Sequence, residues 1–374
     1  IANAVPTSGG TFTGAVTVQG NFSADGGTIK LDGNYPTGTD NVALGNTALD
    51  SVQSGGNYNV AIGASAGTAI TTGDSNTAIG DVSLTANTTA SNNVAVGSVA
   101  MNVNTTGGNN VAVGTQSLRN NTTASNNVAV GFNALTANTT AGYNVAFGTN
   151  TLAGNTTGSE NAVFGGAAAL ANTTGTGLTG AGYTALRFNT TGNYNTAIGD
   201  AALYSNTTAS ESTAVGYQSL YNSNAADNTA IGTQSQKSTT SGSNNTSVGA
   251  GSSYANTTGS YNTSLGRSAL FSNTTASDNT AVGYQAGYAN TTGSENVALG
   301  RSALAANTTA SHGTAVGREA LNSNTTGAEN SAFGSGALVN NTTGSNNVGL
   351  GRYALALNTT ASNNTAVGHG ASYS

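Results

Sequence analysis

Few side chains in this 374-residue sequence could do chemistry, and their spacing sets them apart rather than together. The two histidines, His312 and His369, are the residues whose ordinary pKa lies nearest neutrality. An active site needs titratable groups that converge, with a base near a nucleophile or an acid. Here the acids Glu160, Glu211, Asp227, Asp278, Glu295 and Glu329 recur at one position, five residues before a glycine. That placement reads as a solvated edge that aids solubility, and His312 reads as a solvated surface residue. Arg267, Arg301, Arg318 and Arg352 each follow such a glycine directly. Arg301 and Arg318, 17 residues apart and with Glu319 beside them, form a small basic patch. It is an exposed rim or, on a sharper reading, a contact for a polyanionic surface glycan. Tyr217, Tyr284 and Tyr353, with Tyr183, lie in or just after the same turn, where they cover apolar surface or stack on sugars.

The chemistry that these residues do not support is equally informative. With no cysteine there is no thiolate metal site and no disulfide framework. Calcium-binding rolls repeat Gly-Gly-x-Gly-x-Asp, and no such repeat occurs, so no metal and no cofactor is expected. A net charge of −6 and only 6% charged residues argue against a nucleic-acid partner. No run of 18 apolar residues exists, so no membrane insertion is expected of this segment. The sequence starts at Ile1 and reads as a processed chain or a fragment. The expectation is a protein without catalytic activity.

What organises these residues is a repeat. A glycine recurs at 45, 63, 80, 97, 114, 131, 148 and 165, and continues in step to 368. The interval is 17 residues except for one of 18 (45 to 63) and one of 16 (216 to 232). Twenty units fill residues 41–374, and a fixed period this short means a solenoid with one coil per unit. The residue before the glycine is large and apolar in nineteen of the twenty copies, as in Ile62, Val96, Phe147, Leu265 and Phe333. Val or Thr precedes it by two, with a small residue between, as in Val94-Ala95-Val96. Residues two apart share a strand face. The expectation is a valine row inside the coil, met by the leucine or methionine four residues after the glycine on a second short strand (Leu84, Met101, Leu118).

Fifteen of the twenty units close through Asn-Thr-Thr, residues whose side chains favour turns. These triplets are formal N-glycosylation sequons, but their phase favours a structural role. Adjacent threonines of a strand point to opposite faces, so the pattern gives no flat ice-binding array. The asparagine four before the glycine recurs in seventeen copies, among them Asn93, Asn110, Asn127, Asn279 and Asn364. Coils stacked at roughly 4.8 Å would align these into an amide ladder along a rod of about 90 to 100 Å. The ladder breaks at Leu178, Ser212 and Gly313, which are expected to mark weak coils. Such a roll is thin, and the alanine row on the other strand face would let it pack against copies of itself as a homotrimer.

Both prolines, Pro6 and Pro36, precede the array, so residues 1–40 read as a β-rich lead-in with strands at Thr11–Val18 and Thr28–Leu31. Within it, Ser8-Gly-Gly-Thr-Phe-Thr-Gly-Ala-Val-Thr-Val18 resembles a segment near the shafts of bacteriophage tail fibres. The repeated Asn-x-Val-Ala-Val/Ile-Gly over residues 41–374 resembles the head repeat of YadA-type trimeric autotransporter adhesins. That resemblance implies an all-β fold, a parallel left-handed β-roll, with three chains associating through it. The unit here is longer, with Asn-Thr-Thr as the extension, and the sequence shows no stalk heptads. The functional expectation is an extracellular structural fibre, a phage tail-fibre or appendage shaft that presents a host-recognition element. The alternative is the head of a bacterial surface adhesin that binds a cell-surface glycan or protein receptor.

Overall fold

The structure, a computed structural model, describes residues 38–372. The strands expected at Thr11–Val18 and Thr28–Leu31, and nearly all of the 1–40 lead-in, lie outside the described residues. From Asn41 onward the chain is all-β and winds as a parallel solenoid of about 17 residues per coil. Twenty strands of three residues, β1 (Val42–Leu44) to β20 (Thr365–Val367), stack in chain order. Neighbours pair in parallel and in register from β1 to β20, so Ala95 lies between Ala78 and Ala112.

The direction of the strand faces is the reverse of the expected one. Ala61, Ala95, Ala112, Ala129 and their equivalents point into the coil and are fully buried. The flanking Val94 and Val96 point outward and are half-buried. The cause is the width of the interior. The residue four after the glycine (Leu84, Met101, Leu118, Leu135) is completely buried and already fills the lumen, so the wall facing it must be small. A valine wall and a leucine wall together would overfill it.

The expected second strand does not form either. The chain leaves the glycine through two consecutive tight turns, Ser83 N to Gly80 O at 3.3 Å and Asn87 N to Leu84 O at 3.3 Å. Leu84 sits between them in left-handed backbone, with φ of 50°. That geometry costs about 1–2 kcal/mol, against roughly 1.5–3 kcal/mol from burying the leucine and the backbone bonds that the two turns make. Burial wins, within a limit set by shape. This position takes Leu, Met, Ala, Ser, Gln or Gly in the twenty units and never Val, Ile or Thr, which tolerate positive φ least.

Two asparagine columns fill the rest of the interior. In the column of Asn93, Asn110 and Asn127, each Oδ1 accepts the backbone N–H of the next asparagine at 3.0 Å. Its Nδ2 donates to a carbonyl of the following coil, as from Asn110 to Ala124 O at 2.8 Å. This column therefore links side chain to backbone as much as amide to amide. The longer runs of amide-to-amide bonds belong to the Asn-Thr-Thr asparagines. Asn104 Nδ2 donates to Asn87 Oδ1 at 3.1 Å, Asn121 to Asn104 at 2.8 Å and Asn138 to Asn121 at 3.0 Å. These asparagines are fully buried with their amides occupied, which leaves no room for a glycan on the folded rod. Outside them, the first threonine of the triplet donates Oγ1 to the next coil, as Thr105 does to Thr122 O at 3.0 Å.

Candidate functional site

Exposure alternates from five residues before the glycine to one after it. In the unit around Gly300, Glu295 is exposed, Asn296 buried, Val297 half-buried, Ala298 buried, Leu299 half-buried and Arg301 exposed. The outer face of the sheet thus carries four parallel columns. An apolar column before the glycine and a column of Val or Thr run down the middle, and two polar ones form its edges.

The inner apolar column is large and uncovered. Leu44, Phe147, Phe164, Ile198, Phe333 and Leu350 are each 40–48% exposed. Phe147 and Phe164 stack on each other with ring centroids 5.5 Å apart. One edge holds Asp40, Tyr58, Tyr143, Glu160, Tyr194, Glu211, Asp227, Tyr261, Asp278, Glu295, His312 and Glu329, all in left-handed backbone. Asparagine and aspartate adopt that conformation readily, which accounts for part of the composition; the four glutamates have no such preference. His312 Nδ1 lies 3.3 Å from Glu295 Oε2, with both side chains more than half exposed.

The other edge collects most of the residues singled out from sequence. Tyr217, Tyr284, Arg301 and Arg318 all occupy the position after the glycine, and all are exposed. Tyr353 does not join them. It lies one position further on, with Arg352 stacked over its ring at 4.9 Å. Arg318 lies 3.9 Å from Glu319, an exposed pair of little energetic weight. Among the described residues, no group of three or more His, Asp or Glu side chains is arranged to hold a metal ion. Among the described residues, no helix is long and apolar enough to cross a membrane.

A second surface feature escaped the sequence reading. Five residues after the glycine, on successive or near-successive coils, stand Tyr204, Tyr221, Tyr254, Phe271 and Tyr288. Tyr204 and Tyr221 stack at 4.9 Å, Tyr254 and Phe271 at 5.0 Å, and Phe271 and Tyr288 at 5.3 Å. Phe188 meets Tyr204 edge-on at 5.1 Å, Arg187 lies over Phe188, and Lys237 fills the gap by reaching over Tyr254. Because the rings face one another, they turn edges and not faces to solvent. A sugar needs a free ring face, so this column is a brace and not a platform. The signal was in the sequence as an aromatic phase at the repeat interval, offset from the turn tyrosines.

The brace spans the stretch where the interior is weakest. The apolar core falls into two clusters, one ending at Ala230 and the other beginning at Ala269. Between them Gln236 and Ser253 replace the interior leucine, and Ser247 and Ser264 replace the strand alanine, all buried. Ser223 and Thr239 also interrupt the asparagine ladder. Asn206 Oδ1, Gln236 Oε1 and Thr239 Oγ1 are buried without a hydrogen-bond partner. Each such atom costs about 1–3 kcal/mol, whereas a stacked ring pair returns about 0.5–1.5 kcal/mol. Native-state hydrogen exchange should therefore show amides between residues 219 and 256 exchanging about tenfold or more faster than those between 94 and 152. Uniform protection along the rod would rule this out.

Comparison with known proteins adds no identity. No family model matches the chain, and no curated protein and no solved structure matches it either.

Proposed function

We propose that this chain is a non-enzymatic structural protein that forms an extracellular fibre, with copies joined through the outer face of the sheet. The observation that carries the reading is the uncovered apolar stripe, which follows the strands from Leu44 to Val367. A monomer's largest apolar patch is roughly 300–600 Å², and a stripe crossing twenty strands exceeds that on any plausible exposure per coil. The contact surface is thus the column of Val, Ile, Leu and Phe before the glycine, with the Val and Thr column beside it, not the alanine row, which lies inside. A left-handed roll and an association of three chains are what the repeat resemblance implies, and both belong to this proposal. The role we favour is the shaft of a phage tail fibre or appendage that holds a recognition element away from its base. The exposed Arg301, Arg318, Tyr217 and Tyr284 are the first candidates for contact with a cell-surface glycan or protein receptor.

Light scattering on the full chain tests the self-association. The expected mass is three times the 36.3 kDa of one chain, and a mass of one chain would sink the reading. Immunogold electron microscopy of the native source, with antibody against residues 41–374, tests the role. Label on virion tails supports the shaft; label on a bacterial envelope makes the protein an adhesin instead.

A further inference from the structure

The two edges of the stripe differ in charge, and the difference has a direction. Over the last third of the rod, one edge carries Asp278, Glu295 and Glu329, and the other carries Arg267, Arg301, Arg318 and Arg352. All seven are exposed. The edges lie six residues apart across an extended segment, roughly 20 Å, too far to pair within one chain. Among the described residues, the contacts these side chains make are local: Glu295 with His312, Arg318 with Glu319, and Arg352 over Tyr353.

We propose that these edges are complementary rails that fix how a second copy of the chain docks: parallel, in register, acidic rail against basic rail. The inference rests on the self-association proposed above and adds its orientation. When copies are related by a rotation axis along the rod, the acidic edge of each meets the basic edge of the next. When two copies run antiparallel and face to face, like edges meet instead. Asp81, on the basic edge near the other end, would then lie one coil from Arg318 and Arg352, but Asp278, Glu295 and Glu329 would meet no cation. The levels agree with the parallel arrangement. Asp278 is one coil from both Arg267 and Arg301; Glu295 shares a coil with Arg301 and is one from Arg318; Glu329 is one coil from Arg318 and Arg352. One coil is roughly 4.8 Å, within reach of these long side chains. The apolar residue before the glycine recurs in nineteen of twenty coils, so that column alone would tolerate slippage by whole coils; the stretch where acids and arginines share levels occurs once.

The test uses the full-length chain at low salt. Two triple variants each reverse one rail, Asp278→Lys/Glu295→Lys/Glu329→Lys and Arg301→Glu/Arg318→Glu/Arg352→Glu. A third variant carries all six changes and so exchanges the rails. Sedimentation equilibrium should show each triple variant associating about 100-fold more weakly than the parent chain. The six-fold variant should recover to within about tenfold, because opposite charges again meet everywhere except where Asp278→Lys faces the retained Arg267. Since all six positions are exposed, thermal melts of the variants should keep the fold of the parent, which separates lost docking from lost folding. If the triple variants associate as the parent does, or if the six-fold exchange does not restore association, the rails do not touch. If the parent chain is itself a monomer, the self-association fails, and the rails with it.

Discussion

Replacing Asn138 by aspartate, a change of one atom in an almost identical shape, should cost more stability than truncating it to alanine. Asn138 is fully buried. Its Nδ2 donates to Asn121 Oδ1 at 3.0 Å and to Ala141 O at 3.0 Å. Its Oδ1 accepts from Asn155 Nδ2 at 3.1 Å. Alanine deletes these bonds and leaves three neighbours short of a partner, although Ala141 O keeps Asn127 Nδ2 and Asn155 keeps Gly158 O. The loss should be about 2–4 kcal/mol. Aspartate keeps the accepting oxygen but turns the donor into a second acceptor, aimed at two oxygens, and adds a buried charge with no cation near it. That should cost about 4 kcal/mol or more. Burial and the facing oxygens raise the carboxyl pKa in the folded state above its unfolded value. The folded variant then binds more protons than the unfolded one, so its stability must fall as pH rises and recover in acid, where the protonated group can donate one bond. Denaturant titrations of both variants at pH 8 and pH 4.5 check this. An aspartate variant as stable as the alanine variant at pH 8 would show that the ladder tolerates an acceptor in place of its donor.

Much of this fold was legible in the sequence because one unit is written twenty times. Phase identified the coil, the glycine at its corner and the strand before it, and the recurrence of Asn93, Asn110 and Asn127 identified a buried amide column. The inversion of the strand faces was not read, for a physical reason. Val94-Ala95-Val96 shows which residues share a face but not which face is inside. That depends on how much of the lumen the opposite wall fills. The missing clue was volume: a Leu or Met in fourteen of twenty units fills the lumen, so the wall facing it must be the alanine row.

The site was legible only in pieces. Arg301, Arg318, Tyr217 and Tyr284 were correctly placed after the glycine, yet their meaning depends on the apolar stripe beside them and the acidic column across it. With the faces inverted, neither relation could be seen. Tyr353 was grouped with them by residue type, and it stands one position away. The aromatic brace from Tyr204 to Tyr288 was overlooked because the turn tyrosines claimed the same residue type. Its function becomes apparent only where it overlies the polar interior around Gln236 and Ser253. There an exterior stack offsets part of what the interior loses, and the rod keeps its register across a 16-residue coil.

The corner glycine is where a single methyl group should do the most damage to the backbone. Gly131 has φ of 136°, a region that L-residues rarely enter. A Cβ there would lie 2.5 Å from Gly148 O and 2.6 Å from its carbonyl carbon, the backbone of the next coil. No rotamer can relieve that contact, because both partners belong to the stack itself. Gly131 N also donates to Val113 O at 2.8 Å, so moving the corner away from Gly148 strains the coil below. Gly131→Ala should therefore cost about 3 kcal/mol or more. Gly166→Ala is the control. It lies one residue beyond the corner at Gly165, and its new Cβ would meet only the Tyr183 ring at 3.4 Å, an ordinary contact. Its effect should stay within about 0.5 kcal/mol. Urea midpoints of the two variants decide the matter, and equal midpoints would remove close approach as the reason for the invariant corner. The expected inequality also explains a contrast within the repeat. The position after the corner accepts Asp81, Phe132, Tyr217 or Arg301, because its side chain leaves the stack, while the corner itself is glycine in every coil from Gly45 to Gly368. In a solenoid each coil is held only by its two neighbours. A displaced corner at Gly131 is therefore not diluted by the length of the rod; it divides the stack at that point.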